Sequence, residues 1–253
     1  MMPISISMAG LAGGVGLPWC EGGVVDARRT FAWAASIGAR AVQIDAALVG
    51  VRPRQLDRSA RREVAALMRR AELAVSGLDL WIPPAHFGDG VKAGRAVEAV
   101  VAAMELATEL TGLVGGGTRG VVSVELPESG EVRAELSRRA QELGALLADH
   151  GTMAASGGAA EGPIGVGIDP ATVMASGGDP VTVAARAGTR LMSARLSTWA
   201  SGQRVSPTFP GQGLDIAAYV AAAHVAGYRG AMVADLRGVA KQAEAARAWI
   251  ARL

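Results

Sequence analysis

Eight short stretches with strand character recur along the chain, and most gaps between them carry a helical pattern. That alternation constrains the fold more than any other feature, because strands separated by helices pair in parallel. The last unit is the sharpest. Gly211 to Gly238 reads as a glycine turn, a helix, a Gly-Tyr-Arg-Gly stop and a strand ending in an acid. Asp215 stands where an N-cap belongs, since its carboxylate can accept from the open amides of the first helical turn. Gly227 stands where a left-handed C-cap belongs. In the strand that follows, Met232, Ala234 and Leu236 share one face, and Val233, Asp235 and Arg237 the other.

The preceding units read in the same way. Ile4 to Ala9 is a first strand, followed by a glycine-rich loop whose GGVG lacks the spacing of a phosphate or dinucleotide loop. A helix over Val25 to Ile37 leads to a second strand, Ala41 to Asp45. Asp57 to Glu72 is amphipathic, with Val64, Leu67, Met68 and Leu73 as its buried stripe. Ser76 to Pro84 is a third strand that breaks at two prolines and delivers His86 just past its end. A long helix from Ala93 to Leu110 precedes the fourth strand, Val121 to Pro127. Glu131 to Gly151 reads as one helix, and Thr152 to Ser156 as a weak fifth strand. Ile164 to Asp169 is the sixth strand. Two short helices started by Asp-Pro follow it, then a seventh strand, Leu191 to Ser197. Thr198 to Gly213 is a long loop that can close over a site. Lys241 to Leu253 closes the ring as a last helix. Residues 1–253 therefore read as one (β/α)8 TIM barrel, a fold for which this length is usual.

A formal net charge of +2, with the arginines scattered along helices, advertises neither a nucleic-acid nor a membrane surface. Cys20 is the only cysteine, so neither an intrachain disulfide nor a thiolate metal cluster is available. The start of the chain lacks a basic, apolar leader pattern, and the expectation is a cytoplasmic protein. Exposed apolar helix faces such as Val97 to Met104 would suit a homo-oligomer, although barrel packing explains them equally well.

By strand alternation, Glu125, Asp169, Arg195 and Asp235 point inward near carboxyl ends, where this fold builds its sites, and Asp45 joins them. Several carboxylates meeting in one mouth need a cation. That cation is either a metal held by oxygens or Arg195. Trp81 and Trp199 suit the walls of a sugar pocket, or equally core and lid packing. His150 reads as a structural histidine at a helix end, and His224 as a packing or surface residue. Asp79 and Glu128 have no nameable partner.

The order of elements resembles the sugar phosphate isomerase/epimerase family, the xylose isomerase-like TIM barrels. The motifs that carry the resemblance are Gly211-Gln-Gly213-Leu-Asp215, Gly227-Tyr-Arg-Gly230 and Gly167-Ile-Asp169-Pro170. The resemblance implies an activity on a sugar, sugar phosphate or other hydroxy-carbonyl compound. It also implies a divalent metal (Mn2+, Mg2+ or Zn2+) held by Glu125, Asp169 and Asp235. Glu125 and Asp235 would then be the catalytic pair that moves a proton beside the substrate carbonyl. Arg204 matches an arginine that holds a substrate phosphate or hydroxyl, and His86 a histidine near the third strand. Arg195, His86, Trp81 and Asp45 complete the implied substrate-binding set. The departures are equally specific. Arg195 stands where the family places a metal-binding histidine, Thr172 replaces a second histidine, Thr198 an aspartate, and Asp235 is one methylene short. A guanidinium cannot ligate a metal. The alternative is a non-catalytic or metal-free barrel that binds a small molecule or anion, with Arg195 in place of the metal. Three histidines in all exclude the trinuclear zinc site of the endonuclease relatives.

Overall fold

Parallel strands need crossovers, and the helices between them supply these here. The computed structural model describes residues 3–11, 26–115, 119–151, 162–210 and 213–252. Its elements are β1 (Ile4–Ser7), α1 (Ala27–Ser36), β2 (Ala41–Asp45), α2 (Arg58–Arg70), β3 (Ala74–Asp79), α3 (Ala93–Val114), β4 (Val121–Val124) and α4 (Gly130–Leu143). They continue with β5 (Leu146–Asp149), β6 (Ile164–Ile168), α5 (Pro170–Ala175), α6 (Pro180–Ala187), β7 (Leu191–Leu196), α7 (Ile216–Val225), β8 (Met232–Ala234) and α8 (Gln242–Ile250). The eight strands form a closed barrel in chain order, β8 pairing in parallel with β1. Asp26, Asp57, Asp169, Asp179 and Asp215 each start a helix by accepting a backbone N–H in its first turn.

Outward faces of the strands carry Ile6, Val42, Ile44, Leu78, Val122, Leu147, Ile168, Leu196 and Ala234, all buried under the helix layer. The lumen is small and polar. Ser5 Oγ lies 2.6 Å from Ser76 Oγ, and Gln43 Nε2 donates to Ser123 Oγ at 3.0 Å, which lies 3.2 Å from Ser193 Oγ. Side chains thus fill the barrel floor, and any ligand must approach from the carboxyl ends of the strands. Among the described residues, no helix is long and apolar enough to cross a membrane.

Three sequence expectations need correction. The helix expected over Glu131 to Gly151 ends at Leu143, because Gly144 takes a left-handed conformation (φ 64°). The fifth strand is Leu146–Asp149, and the segment Thr152 to Ser156 lies outside the described residues. The expected loop from Thr198 contains an antiparallel hairpin, Thr198–Ala200 with Gln203–Val205.

Candidate functional site

The carboxyl ends of β3, β6, β7 and β8 bring three aspartates and three arginines into one cluster. Asp235 follows β8 in the inward register, since Val233 pairs with Arg195 and with Ser5. Asp169 ends the β6 run and is also the N-cap of α5, accepting from Ala171 N at 3.2 Å. Ser197 Oγ donates to Asp169 at 2.6 Å. Asp79 reaches the lumen through a bulge. Val42 pairs with Val75 but Gln43 with Gly77, so an extra residue in β3 reverses the alternation and turns Asp79 inward beside Asp45.

Arg195 lies between the three acids at 5% exposure. Its Nη2 donates to Asp79 Oδ1 at 2.8 Å, and its Nη1 stands 3.7 Å from both Asp169 Oδ2 and Asp235 Oδ2. Arg204, from the second strand of the hairpin, donates to Asp169 and, at 3.3 Å, to Asp235 Oδ2. Arg237 chelates Asp235 through Nε, at 3.0 Å from Oδ1, and through Nη2. Its Nη1 lies 3.3 Å from Asp79 Oδ2, close enough for an ion pair but misaligned for a hydrogen bond. Three carboxylates against three guanidiniums leave the cluster with no net charge. Burial pushes the Asp169 carboxyl up, but Arg204 and Arg195 outweigh it and hold the group at about 2. Burial opposes ionisation of Asp235 too, and Arg195 and Arg237 prevail, keeping it below the usual carboxylate range. Arg237 is raised in turn, its bonds to Asp235 outweighing its own burial.

The other residues expected at the site form no hydrogen bond or ion pair with this cluster, although Asp45 pairs in register with Asp79. β4 ends at Val124, and Glu125 just beyond it is exposed, with no hydrogen-bond or ion-pair partner among the described residues. Asp45 accepts from Ala47 N at 2.8 Å. Partial burial raises its carboxyl, with nearby Asp79 contributing. Trp81 is 72% exposed, and His86 sits half-buried in the single helical turn Ala85–Gly88. Thr172 is exposed on α5, whereas Thr198 accepts from Leu214 N at 2.9 Å and ties the hairpin to the segment before α7.

The sequence reading missed three members of the mouth. Asp79 was hidden by the bulge, whose only sequence signal is Gly77 inside a strand pattern. Arg237 shares a face with Asp235 but had no assigned role. His150 was placed at a helix end; it instead follows β5 and continues the ladder, donating from its N to Val124 O at 2.9 Å.

A divalent cation does not fit this donor set. An oxygen site for Mg2+ or Mn2+ needs carboxylate lone pairs converging on one point and free of other cations. The lone pairs of Asp169 and Asp235 that face each other are taken by Arg195, Arg204 and Arg237. Among the described residues, no group of three or more His, Cys, Asp or Glu side chains could hold a metal ion.

No family model and no curated protein match the chain by sequence. Its fold does match solved structures. A xylose isomerase domain protein from Alicyclobacillus acidocaldarius is 15% identical with a TM-score of 0.64, over 100% of this chain and 98% of that one. A xylose isomerase-like TIM barrel protein from Mycobacterium smegmatis, in complex with magnesium, is 14% identical with a TM-score of 0.65, over 99% and 95%. A D-psicose 3-epimerase, in the presence of D-fructose, is 12% identical with a TM-score of 0.68, over 90% and 92%. The chain therefore has the fold shared by xylose isomerase-like TIM barrels and sugar epimerases.

Proposed function

We propose that this barrel binds a small sugar or hydroxy-carbonyl compound at its carboxyl-terminal mouth without a metal, Arg195 taking the metal's place. The observation that carries this reading is Arg195 itself, buried among Asp79, Asp169 and Asp235. A guanidinium there neutralises the acids permanently and offers planar N–H donors to ligand oxygens. The likeness in fold to sugar epimerases supports the choice of ligand class.

Proton abstraction beside a carbonyl fits this mouth poorly. An effective base has a pKa near the working pH. Asp169 is held at about 2, and Asp235 is lowered as well. Glu125 is exposed and pairs with no member of the cluster. The cluster is built to hold oxygen atoms in place rather than to take protons from carbon.

Metal content by mass spectrometry tests this reading, after incubation with Mn2+, Mg2+ or Zn2+ and desalting. Wild type should retain none, and Arg195→His combined with Arg204→Gln and Arg237→Gln should gain about one equivalent, since an imidazole can ligate where a guanidinium cannot and the carboxylates are then free to turn to a cation. Retention of about one equivalent by wild type, lost in Asp169→Asn, would overturn it and restore the metal-dependent isomerase.

A further inference from the structure

Far from the mouth, the helix layer leaves a seam open between α1 and α2. Arg28, Phe31, Ala32 and Ala35 line one side of it, and Leu67, Arg70 and Ala71 the other, each set spaced for a single helix face. Phe31 and Leu67 give the seam an apolar floor, and the alanines beside them do not fill it. A groove of about 490 Å3 remains. Ala32 is exposed, and Ala35, Leu67 and Ala71 are half-buried, so the floor is open to a partner. Arg28 stands in the first turn of α1 and Arg70 in the last turn of α2. Both helices cross from a strand's carboxyl end to the next strand's amino end, so the two guanidiniums bracket the groove from opposite ends. From Arg28 to Ala35 the groove follows about two helical turns, roughly 10 Å.

The charge around this floor is concentrated. Residues 26–72 hold ten arginines against five acids, a net +5 in a chain whose whole net charge is +2. α1 and α2 themselves carry seven arginines and one acid, Glu63. Arg28 and Arg70 are exposed, and their side chains have no partner among the described residues; Arg58 and Arg62 on α2 are in the same condition. An apolar seat ringed by unpaired guanidiniums is complementary to apolar side chains ringed by carboxylates.

We propose that this groove docks an acidic amphipathic helix of another protein, its apolar side chains seated between α1 and α2 and its carboxylates paired with Arg28 and Arg70. Such a helix presents apolar residues at i and i+4 to the floor, with acids about one turn before and after them. A second copy of this chain is a poorer occupant. The acids Glu98, Glu105 and Glu109 of α3 and Glu135 and Glu142 of α4 are already paired with arginines of their own chain. A membrane surface is poorer too, because none of the exposed large apolar side chains lies on α1 or α2 to enter it. Nucleic acid would bring phosphates to the arginines but nothing apolar to the floor, which offers no exposed aromatic face for a base to stack on.

The test is NMR titration of the full chain with two helical peptides that differ only in charge. Both carry leucine at i and i+4; one flanks the pair with glutamates, the other with lysines. The glutamate peptide should shift the amide signals of Ala32, Ala35 and Ala71 and bind about tenfold more tightly than the lysine peptide. Combining Arg28→Gln with Arg70→Gln should weaken it about three- to tenfold, and raising salt should weaken it further. Ala32→Glu, at an exposed position, should abolish binding and leave the melting temperature unchanged. Equal binding of the two peptides, or shifts that lie elsewhere on the barrel, would overturn the proposal. Tighter binding of phosphatidylserine vesicles or duplex DNA through the same two arginines would overturn it as well, as would self-association of wild type that Ala32→Glu removes. The wild-type shift map locates the contact without relying on any variant.

Discussion

Replacing Arg195 by methionine removes one positive charge from a cluster whose six side chains balance. Methionine is close in length, so packing changes little while the charge balance changes fully. Asp79 loses its 2.8 Å donor, and Asp169 and Asp235 each lose a guanidinium at 3.7 Å, all four side chains being less than a tenth exposed. Breaking a buried pair from one side costs about 3–5 kcal/mol. For a chain of this size that lowers Tm by about 6–20 °C. The pH dependence is more telling than the size. In wild type the depressed carboxyl of Asp169 makes stability rise with pH between about 2 and 4. In Arg195→Met the uncompensated carboxyl rises above its unfolded value and binds a proton in the folded state. Stability then falls with increasing pH, by about 1.4 kcal/mol per pH unit, until that proton is lost. Urea unfolding from pH 2 to pH 8 would read both slopes. A loss under about 1 kcal/mol that is the same at every pH would refute the balanced, buried cluster. Adding Asp79→Asn to Arg195→Met restores neutrality and should recover part of the stability; no recovery would count equally against it.

Three further outcomes follow from particular contacts. Glu125→Gln should leave thermal stability within about 0.5 kcal/mol of wild type, because the side chain is exposed; a larger loss in a melting curve would place it in the cluster. In Gly120→Ala the new Cβ would lie 2.6 Å from Ala107 C and 2.7 Å from Thr108 Cα, backbone atoms of α3 that cannot yield locally. A loss of about 1–3 kcal/mol is expected in urea unfolding, whereas Gly88→Ala, with nothing within 4 Å of its Cβ, should be near neutral. Holding Asp169 at about 2 rather than 3.8 contributes about 2 kcal/mol that is fully present above pH 4 and lost as pH falls toward 2. Asp169→Asn should flatten that part of the wild-type acid unfolding curve.

The fold was legible because seven strands announce themselves by alternation or by a run between glycines. The fifth did not. Leu146–Asp149 is four residues long and only two residues separate it from α4, so its apolar residues extend the helical pattern without a break. That one misreading hid His150, whose inward direction depends on its strand. Asp169, Arg195 and Asp235 were legible because β6, β7 and β8 keep regular alternation at their carboxyl ends. Glu125 stands one residue past β4, as Asp169 and Asp235 do past β6 and β8, but its side chain is exposed and pairs with none of the arginines. Asp79 needed the register shift at Gly77 to be seen at all. Arg204 was assigned only by resemblance. Its place beside Asp169 and Asp235 comes from a hairpin that nothing in the local sequence periodicity marks.

The most direct measurement of the central claim is an anomalous difference map from a crystal soaked in Mn2+. The expected map has no peak between Asp169 and Asp235, and the electron density of the same crystal shows the Arg195 guanidinium there with Nη2 about 2.8 Å from Asp79 Oδ1. A manganese peak bridging the two aspartates, with Arg195 swung out of the mouth, would contradict the claim that the arginine has taken the metal's place.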